Sequence, residues 1–436
     1  MDKVLKFGGT SVGSAENMRK VAAVIQSEGS KITVLSAMSG TTDALVKIGR
    51  LAKEKAPQTE IEAVIDGLVT KYTTCITGLL KEGKDEALTR MNDAFALIKH
   101  ETQNYVCCDS EKLIEAQGEL LTSYIFASYL QEQGVKAQLL NAPGFMVKDG
   151  EGKVDRVLLN AKLKELTQDT DTYYVTQGFI CTDHRGKLDN LGRGGSDFSA
   201  ALMGAAVQAC EVQIWTDIDG MHNNDPRYVE KTYPIRHMTF DDAAELAYFG
   251  AKILHPAAIQ PCKEQDIPVR LKNTMDPGAP GTLITNEGDQ SQFCAVAAKD
   301  NITVIRIHSL RMLMAYGFLR KVFEIFEDHK TSIDMITTSE VAVSLTVDND
   351  ENLDAIVSEL KELGTIEIER GNSIICIVGD MDHQKAGLVW RISGSLNTIP
   401  VKMISYGASH RSLVMLIATE NKIKALQNIN HELFNL

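Results

Sequence analysis

Three segments hold the residue types that handle phosphate. Lys6-Phe-Gly8-Gly9-Thr-Ser11 places a lysine at the end of a short apolar run, just before adjacent glycines. Backbone amides at such a turn can cradle phosphate oxygens, and the ammonium adds a point charge. The Gly8 to Gly13 spacing fits G-x-x-x-x-G, yet Ser14-Ala15 stands where Lys-Ser/Thr is required, so a Walker P-loop is excluded, and so is a dinucleotide fingerprint. Gly192-Arg193-Gly194-Gly195-Ser196-Asp197 opens an Ala-rich helical pattern. A helix N-terminus favours anions, and Arg193 can grip a carboxylate with two parallel hydrogen bonds. Asp197 is either a helix cap or a charge partner. The third segment runs from Trp215-Thr216-Asp217 through Asp225-Pro-Arg227 to Gly250-Ala-Lys252-Ile-Leu-His255-Pro. A strand ending in Thr-Asp, with an arginine and a lysine following, suits the ligand-binding end of an open α/β sheet. His255 stands before a proline and reads as structural.

The elements that must position these loops are legible in outline. Residues 3–7 and 31–36 read as short buried strands, each followed by a Gly/Ser/Thr turn and a helical pattern, which opens an α/β fold with a parallel sheet. Residues 44–133 are mostly helical by their three-and-four spacing, and strands recur at 137–141, 172–180 and 211–216. Residues 276–281, Asp-Pro-Gly-Ala-Pro-Gly, form a turn cluster, and 286–292 are a linker. Beyond 295 a strand–helix–strand–strand order appears twice: strands at 302–307 and 341–347 about a helix at 317–326, then 374–378, 401–406 and 413–418 with helices at 385–396 and the end. Two copies of a small α+β unit are expected, and the pattern leaves open whether they are consecutive or interleaved.

The chain has 436 residues, which predicts two or three domains. Its net charge of −13 disfavours nucleic acid and anionic membrane as partners, without excluding anionic substrates met by local cations. The start lacks an apolar signal region, and no run of about 18 apolar residues occurs. The eight cysteines are dispersed with no CxxC pair, so reduced thiols in a cytoplasmic protein are expected.

Taken together, the three segments resemble aspartate kinases in residue and in order. Leu35-Ser36-Ala37 with Thr42, and Gly118-Glu119-Leu120, fit the same pattern. The resemblance covers essentially the whole chain. It implies an α/β amino-acid-kinase fold with a central, mainly parallel sheet over 1–290, followed by two α+β ACT units at 295–372 and 373–436. The implied reaction moves the γ-phosphoryl group of ATP to the side-chain carboxylate of L-aspartate, giving 4-phospho-L-aspartate, the first step of lysine, threonine and methionine biosynthesis.

The resemblance assigns roles as follows. Lys6 stabilises the transferring phosphoryl group, with Asp197 orienting it or the substrate. Gly8 and Gly9 flank the phosphates, Arg227 and Lys252 hold them, and Thr216, Asp217 and His222 lie against the nucleotide. Mg²⁺ bridges the phosphates, with no protein ligand named. Arg193 takes an aspartate carboxylate, Ser36 and Thr42 donate hydrogen bonds, and Glu119 meets the ammonium. No general base is needed, because the attacking carboxylate is already ionised at neutral pH.

The C-terminal segments His308-Ser-Leu310, Gly317-Phe-Leu319 and 332–341 resemble the first ACT unit of lysine-inhibited aspartate kinases, and 404–409 the second. This implies L-lysine as allosteric inhibitor at an ACT–ACT interface of a homodimer or higher oligomer. Met312, Gly317, Phe318, Leu319, Asp334, Thr338, Ser339, Glu340 and Val341 are the candidate effector residues. Asp334 and Glu340 would meet lysine's two ammonium groups, and threonine is the alternative effector. Other readings are a kinase for glutamate, acetylglutamate or a nucleotide, and a non-catalytic amino-acid sensor. A fused homoserine dehydrogenase is not expected, since no G-x-G-x-x-G follows the ACT region.

Overall fold

The computed structural model describes residues 2–105, 108–192, 194–250, 254–288, 292–312, 316–382 and 384–436. They divide into two units: 2–221 with 236–240 and 254–288, and 222–235 with 241–250 and the described residues from 292 onward.

The first unit is built on an eight-stranded sheet in the order Ala137–Leu139, Tyr173–Gln177, Ser30–Leu35, Lys3–Phe7, Glu211–Thr216, Val269–Asn273, Thr282–Thr285, His237–Thr239. Every neighbouring pair is parallel except the hairpin joining Val269–Asn273 to Thr282–Thr285. The Pro/Gly cluster at 276–281 makes that turn. Gly281 has φ +69°, and a Cβ there would lie 1.9 Å from the Leu271 carbonyl oxygen, so only glycine fits. Strand Ser30–Leu35 is buried along its whole length, as a central parallel strand must be.

Helix Ala15–Glu28 starts on the Ser14 hydroxyl, which accepts from the Asn17 amide, and stops at Gly29 with φ +68°. The helical stretch read from spacing is four helices: Thr41–Lys53, Gln58–Leu79, Lys84–Gln103 and Cys108–Glu132. They close one core in which Tyr72, Phe126 and Trp215 are fully buried. Five short strands of this unit escape the sequence reading: Ile180–Thr182, Leu188–Asn190, His237–Thr239, Val269–Asn273 and Thr282–Thr285. Strands of three to five residues carry too little alternation to stand out from loops.

The second unit holds a six-stranded antiparallel sheet in the order Met335–Thr338, Ala342–Val347, Ala295–His308, Thr365–Val378, Ser412–Ala418, Val401–Tyr406. Its two central strands are 14 residues long and pair with each other throughout, each flanked on its other side over only half its length. Residues 303–308 carry strand 342–347 and face 365–369, whereas 295–299 face 374–378, which carry strand 412–418. The two α+β units are therefore interleaved: strand 295–299 completes the set formed by residues 373–436. Helices Phe318–Asp328 and Leu353–Leu360 cover one half, and Leu388–Ser395 and Lys422–Phe434 the other.

Two segments that precede residue 290 pack with this sheet. The Asn224 amide donates to the Leu426 carbonyl, and Arg411 holds the buried Asp242 through two hydrogen bonds of 2.8 and 2.5 Å. Such contacts between residues some 170–200 positions apart leave no periodic trace in the sequence. Among the described residues no helix is long and apolar enough to cross a membrane.

Candidate active site

The centre of the first unit's sheet delivers Lys6. It lies one residue before the end of strand Lys3–Phe7, between Ser30–Leu35 and Glu211–Thr216. The chain then turns sharply. The Gly8 amide donates to the Trp215 carbonyl at 3.1 Å, and the Ser39 amide donates to the Gly9 carbonyl at 2.9 Å. A Cβ on Gly9 would sit 2.7 Å from the Ala37 carbonyl oxygen, so two backbones touch there as only glycine permits.

The Lys6 ammonium is 2.6 Å from Asp197 Oδ1, both side chains being mostly buried. Asp197 lies in the first turn of helix Gly195–Ala206 and caps nothing; Gly194, with φ +73°, occupies the cap. Its role as charge partner, not helix cap, is the one the fold realises. A Cβ on Gly194 would strike that of His255 at 2.6 Å, which gives the histidine a packing role.

Glu119 comes to the same strand ends from helix Cys108–Glu132. Gly118 makes this possible: a Cβ there would be 2.8 Å from that of Ala37, so the helix passes close over the loop after strand Ser30–Leu35. Glu119 Oε1 accepts from the Ala37 amide at 3.3 Å, while Oε2 is buried without a partner among the described residues. Burial pushes this carboxyl up to about 8, against the pull of the Ala37 amide and of the Lys6 charge. A buried carboxylate oxygen with no donor is costly unless a cation or donor arrives. Ser36 and Thr42 are half-buried on either side of this loop.

Thr216 ends the neighbouring strand, and its hydroxyl donates to Asp217 Oδ1 at 3.1 Å. In the second unit, His222 Nδ1 lies 2.9 Å from the Thr232 hydroxyl. Arg227 is largely exposed and grips Asp225 with its Nε and Nη2 atoms, at 2.9 and 2.6 Å from Oδ1 and Oδ2. Arg193 and Lys252 lie outside the described residues.

A family model of the amino acid kinase family matches residues 1–273, and one of the ACT domain matches residues 375–433. Over an alignment spanning 99% of both chains, the protein is 34% identical to the lysine-sensitive aspartokinase 3 of Escherichia coli. The chain belongs to the aspartokinases. The crystal structure of E. coli aspartokinase III with aspartate and ADP superposes at a TM-score of 0.87, with 32% identity over all of both chains. The structure of that enzyme with lysine and aspartate gives 0.83, with 33% identity over 99% of both. As an aspartokinase, the protein is an ATP-dependent kinase acting on aspartate.

The candidate effector residues of this aspartokinase gather on one half of the second unit's sheet. Gly317, with φ +81°, opens helix Phe318–Asp328; Phe318 is buried in the core beneath it, and Met312 and Leu319 pack partly against that core. Thr338 ends its strand, and the Ser339 amide closes a hairpin onto the Ala342 carbonyl at 2.8 Å. Glu340 and Val341 are exposed at its tip.

Asp334, expected to meet an ammonium of lysine, is already engaged within the unit. Its side chain is almost wholly buried, with Oδ1 receiving Lys299 at 2.8 Å and the Tyr248 hydroxyl at 3.1 Å, while Oδ2 has no partner among the described residues. Burial raises this carboxyl above the usual range, with Lys299 opposing. Lys299 and Tyr248 escape the sequence reading, because one sits on a strand 35 residues away and the other on a helix 86 residues away.

Proposed function

We propose that this aspartokinase forms 4-phospho-L-aspartate from L-aspartate and ATP with Mg²⁺, at the strand ends that carry Lys6. The observation that carries the assignment is the buried Oε2 of Glu119, without a partner among the described residues and beside a lysine–aspartate pair. An amino-acid acceptor supplies the missing cation through its α-ammonium. Arg193 takes a carboxylate of the acceptor, and Ser36 and Thr42 donate hydrogen bonds to it.

An oxygen of the side-chain carboxylate attacks the γ-phosphorus, the bond to the β–γ bridging oxygen breaks, and ADP leaves. Both reactants are anionic, so catalysis rests on positioning and charge neutralisation. Lys6, held in place by Asp197, neutralises charge on the phosphoryl group in transit. Gly8 and Gly9 bring backbone to the phosphates, Thr216, Asp217 and His222 flank the nucleotide, and Arg227 and Lys252 hold its phosphates. Arg227 would exchange part of its hold on Asp225 for phosphate. Mg²⁺ would be held through the nucleotide's phosphates and would add to the charge neutralisation there, with no protein ligand named. The E. coli relative crystallised with aspartate and ADP supports this pairing of ligands.

Lysine is the proposed inhibitor, acting where two copies of the second unit meet and serving a pathway to lysine, threonine and methionine. Support comes from the lysine-sensitive relative and its lysine complex, and from the buried Oδ2 of Asp334, without a partner among the described residues. The test is ADP release by the purified chain with each acceptor in turn. Turnover with aspartate and not glutamate is expected; turnover with glutamate alone would overturn the assignment.

A further inference from the structure

We propose that Glu115 and Asn190 are positioning residues for the acceptor: they hold the glycine loop that carries Arg193 at a fixed place relative to Glu119. The inference rests on the reading that this loop binds a carboxylate of aspartate.

Strand Leu188–Asn190 ends where the loop begins, and the Asn190 side chain bridges two elements. Its Nδ2 donates to Glu115 Oε2 at 3.0 Å, and its Oδ1 accepts from the Gly192 amide at 3.1 Å. Gly192 and Gly194 both have positive φ, +74° and +73°, a conformation glycine adopts without steric cost. The Gly195 amide donates to the Gly192 carbonyl at 3.0 Å and closes the turn into the helix.

The strand end itself is pinned. Lys148 Nζ donates to the Asn190 carbonyl at 2.6 Å and to Asp189 Oδ2 at 2.9 Å, and Lys112 meets Asp189 Oδ1 at 2.7 Å. Glu115 is half-buried; burial raises its carboxyl and the Asn190 amide opposes that.

Glu115 and Glu119 are one turn apart on helix Cys108–Glu132, hence on one face and about 6 Å apart along its axis. One rigid element thus carries both the socket for the ammonium and, through Asn190, the anchor of the loop. An acceptor of fixed length needs those two points at a fixed separation, and loosening either spreads the geometry in which it binds. The bonds join two half-buried polar side chains at the end of a short hairpin, and losing them removes no apolar packing, so it touches acceptor binding more than folding.

The test uses the full-length enzyme with KM for aspartate, KM for ATP and the melting temperature as readouts. Asn190→Ala removes both bonds and is expected to raise KM for aspartate roughly tenfold, with KM for ATP within about twofold and little change in melting temperature. Asn190→Asp alone sets two carboxylates against each other and should do the same. Adding Glu115→Gln to Asn190→Asp reverses donor and acceptor, restores both bonds and should return KM for aspartate to near the starting value. Equal changes in both KM values, no change, or no rescue by the double variant would overturn the proposal. Arg193→Ala separates the two levels. If it leaves aspartate binding intact, the reading of the loop fails and the proposal with it. If it weakens binding while Asn190→Ala does not, the positioning role alone fails.

Discussion

Replacing Glu119 by glutamine tests the ammonium socket by both charge and pH. The carboxyl is buried, one oxygen accepts from the Ala37 amide, the other has no partner among the described residues, and burial lifts its pKa to about 8. Ionised carboxylate is the form that binds an ammonium. With a pKa near 8, roughly one site in thirty is ionised at about pH 6.5 and roughly three in four at about pH 8.5, so KM for aspartate should fall about twentyfold between them. Aspartate's own ammonium stays charged across that window.

Glu119→Gln keeps the shape and loses the charge. A hydrogen bond to a charged group is worth about 1.5–3 kcal/mol, so at about pH 8.5 the variant's KM should exceed that of the parent by roughly 10–150-fold. Its KM should also be flat in pH. The folded-state pKa is raised, so the folded protein holds a proton that the unfolded chain releases, and wild-type stability is lost as pH rises toward about 8. Glu119→Gln should therefore gain melting temperature relative to the parent as pH rises. Initial-rate kinetics across pH, with calorimetry alongside, read both effects. A pH-independent KM in the parent, or a variant that binds aspartate as well as the parent at about pH 8.5, would refute the reasoning.

Lys6→Ala should lower kcat by at least about a hundredfold and change KM for aspartate much less, because the ammonium acts on charge that develops in the transition state; steady-state kinetics decide it, and normal turnover removes Lys6 from the mechanism. Gly9→Ala forces a Cβ to 2.7 Å from the Ala37 carbonyl oxygen and should cost about 1–3 kcal/mol by urea unfolding, with a fall in kcat. Asp334→Asn should raise the lysine concentration for half inhibition at least about tenfold and leave uninhibited turnover alone, while Lys299→Ala strands a buried carboxylate and should cost about 3–5 kcal/mol in unfolding. Unchanged lysine response in Asp334→Asn would sink that residue as an effector contact.

The α/β class and the loops were legible because they rest on local features. Lys6 before Gly8-Gly9 reads as a strand-end turn from six consecutive residues, and the same strand end carries it in the fold. The alternation after residue 295 showed two small α+β units, but not their interleaving. That depends on Ala295–His308 and Thr365–Val378 pairing along their whole length so that both span the two units, a property of pairing between strands about 70 residues apart. Asp197 remained ambiguous between cap and charge partner, because Lys6 stands 191 positions earlier and only the sheet brings them together. Asp334 was read as an effector carboxylate, since nothing local shows that Lys299 and Tyr248 reach it.

The identity of the phosphorylated oxygen tests the central claim most directly. The purified enzyme is incubated with aspartate, ATP and Mg²⁺, and the acyl phosphate is reduced by borohydride to the corresponding alcohol. Phosphorylation of the side-chain carboxylate yields homoserine, and that product, formed in step with ADP and absent with Lys6→Ala, is the result expected. Reduction at the α-carboxylate instead, or ADP release with no acyl phosphate to trap, would contradict the account.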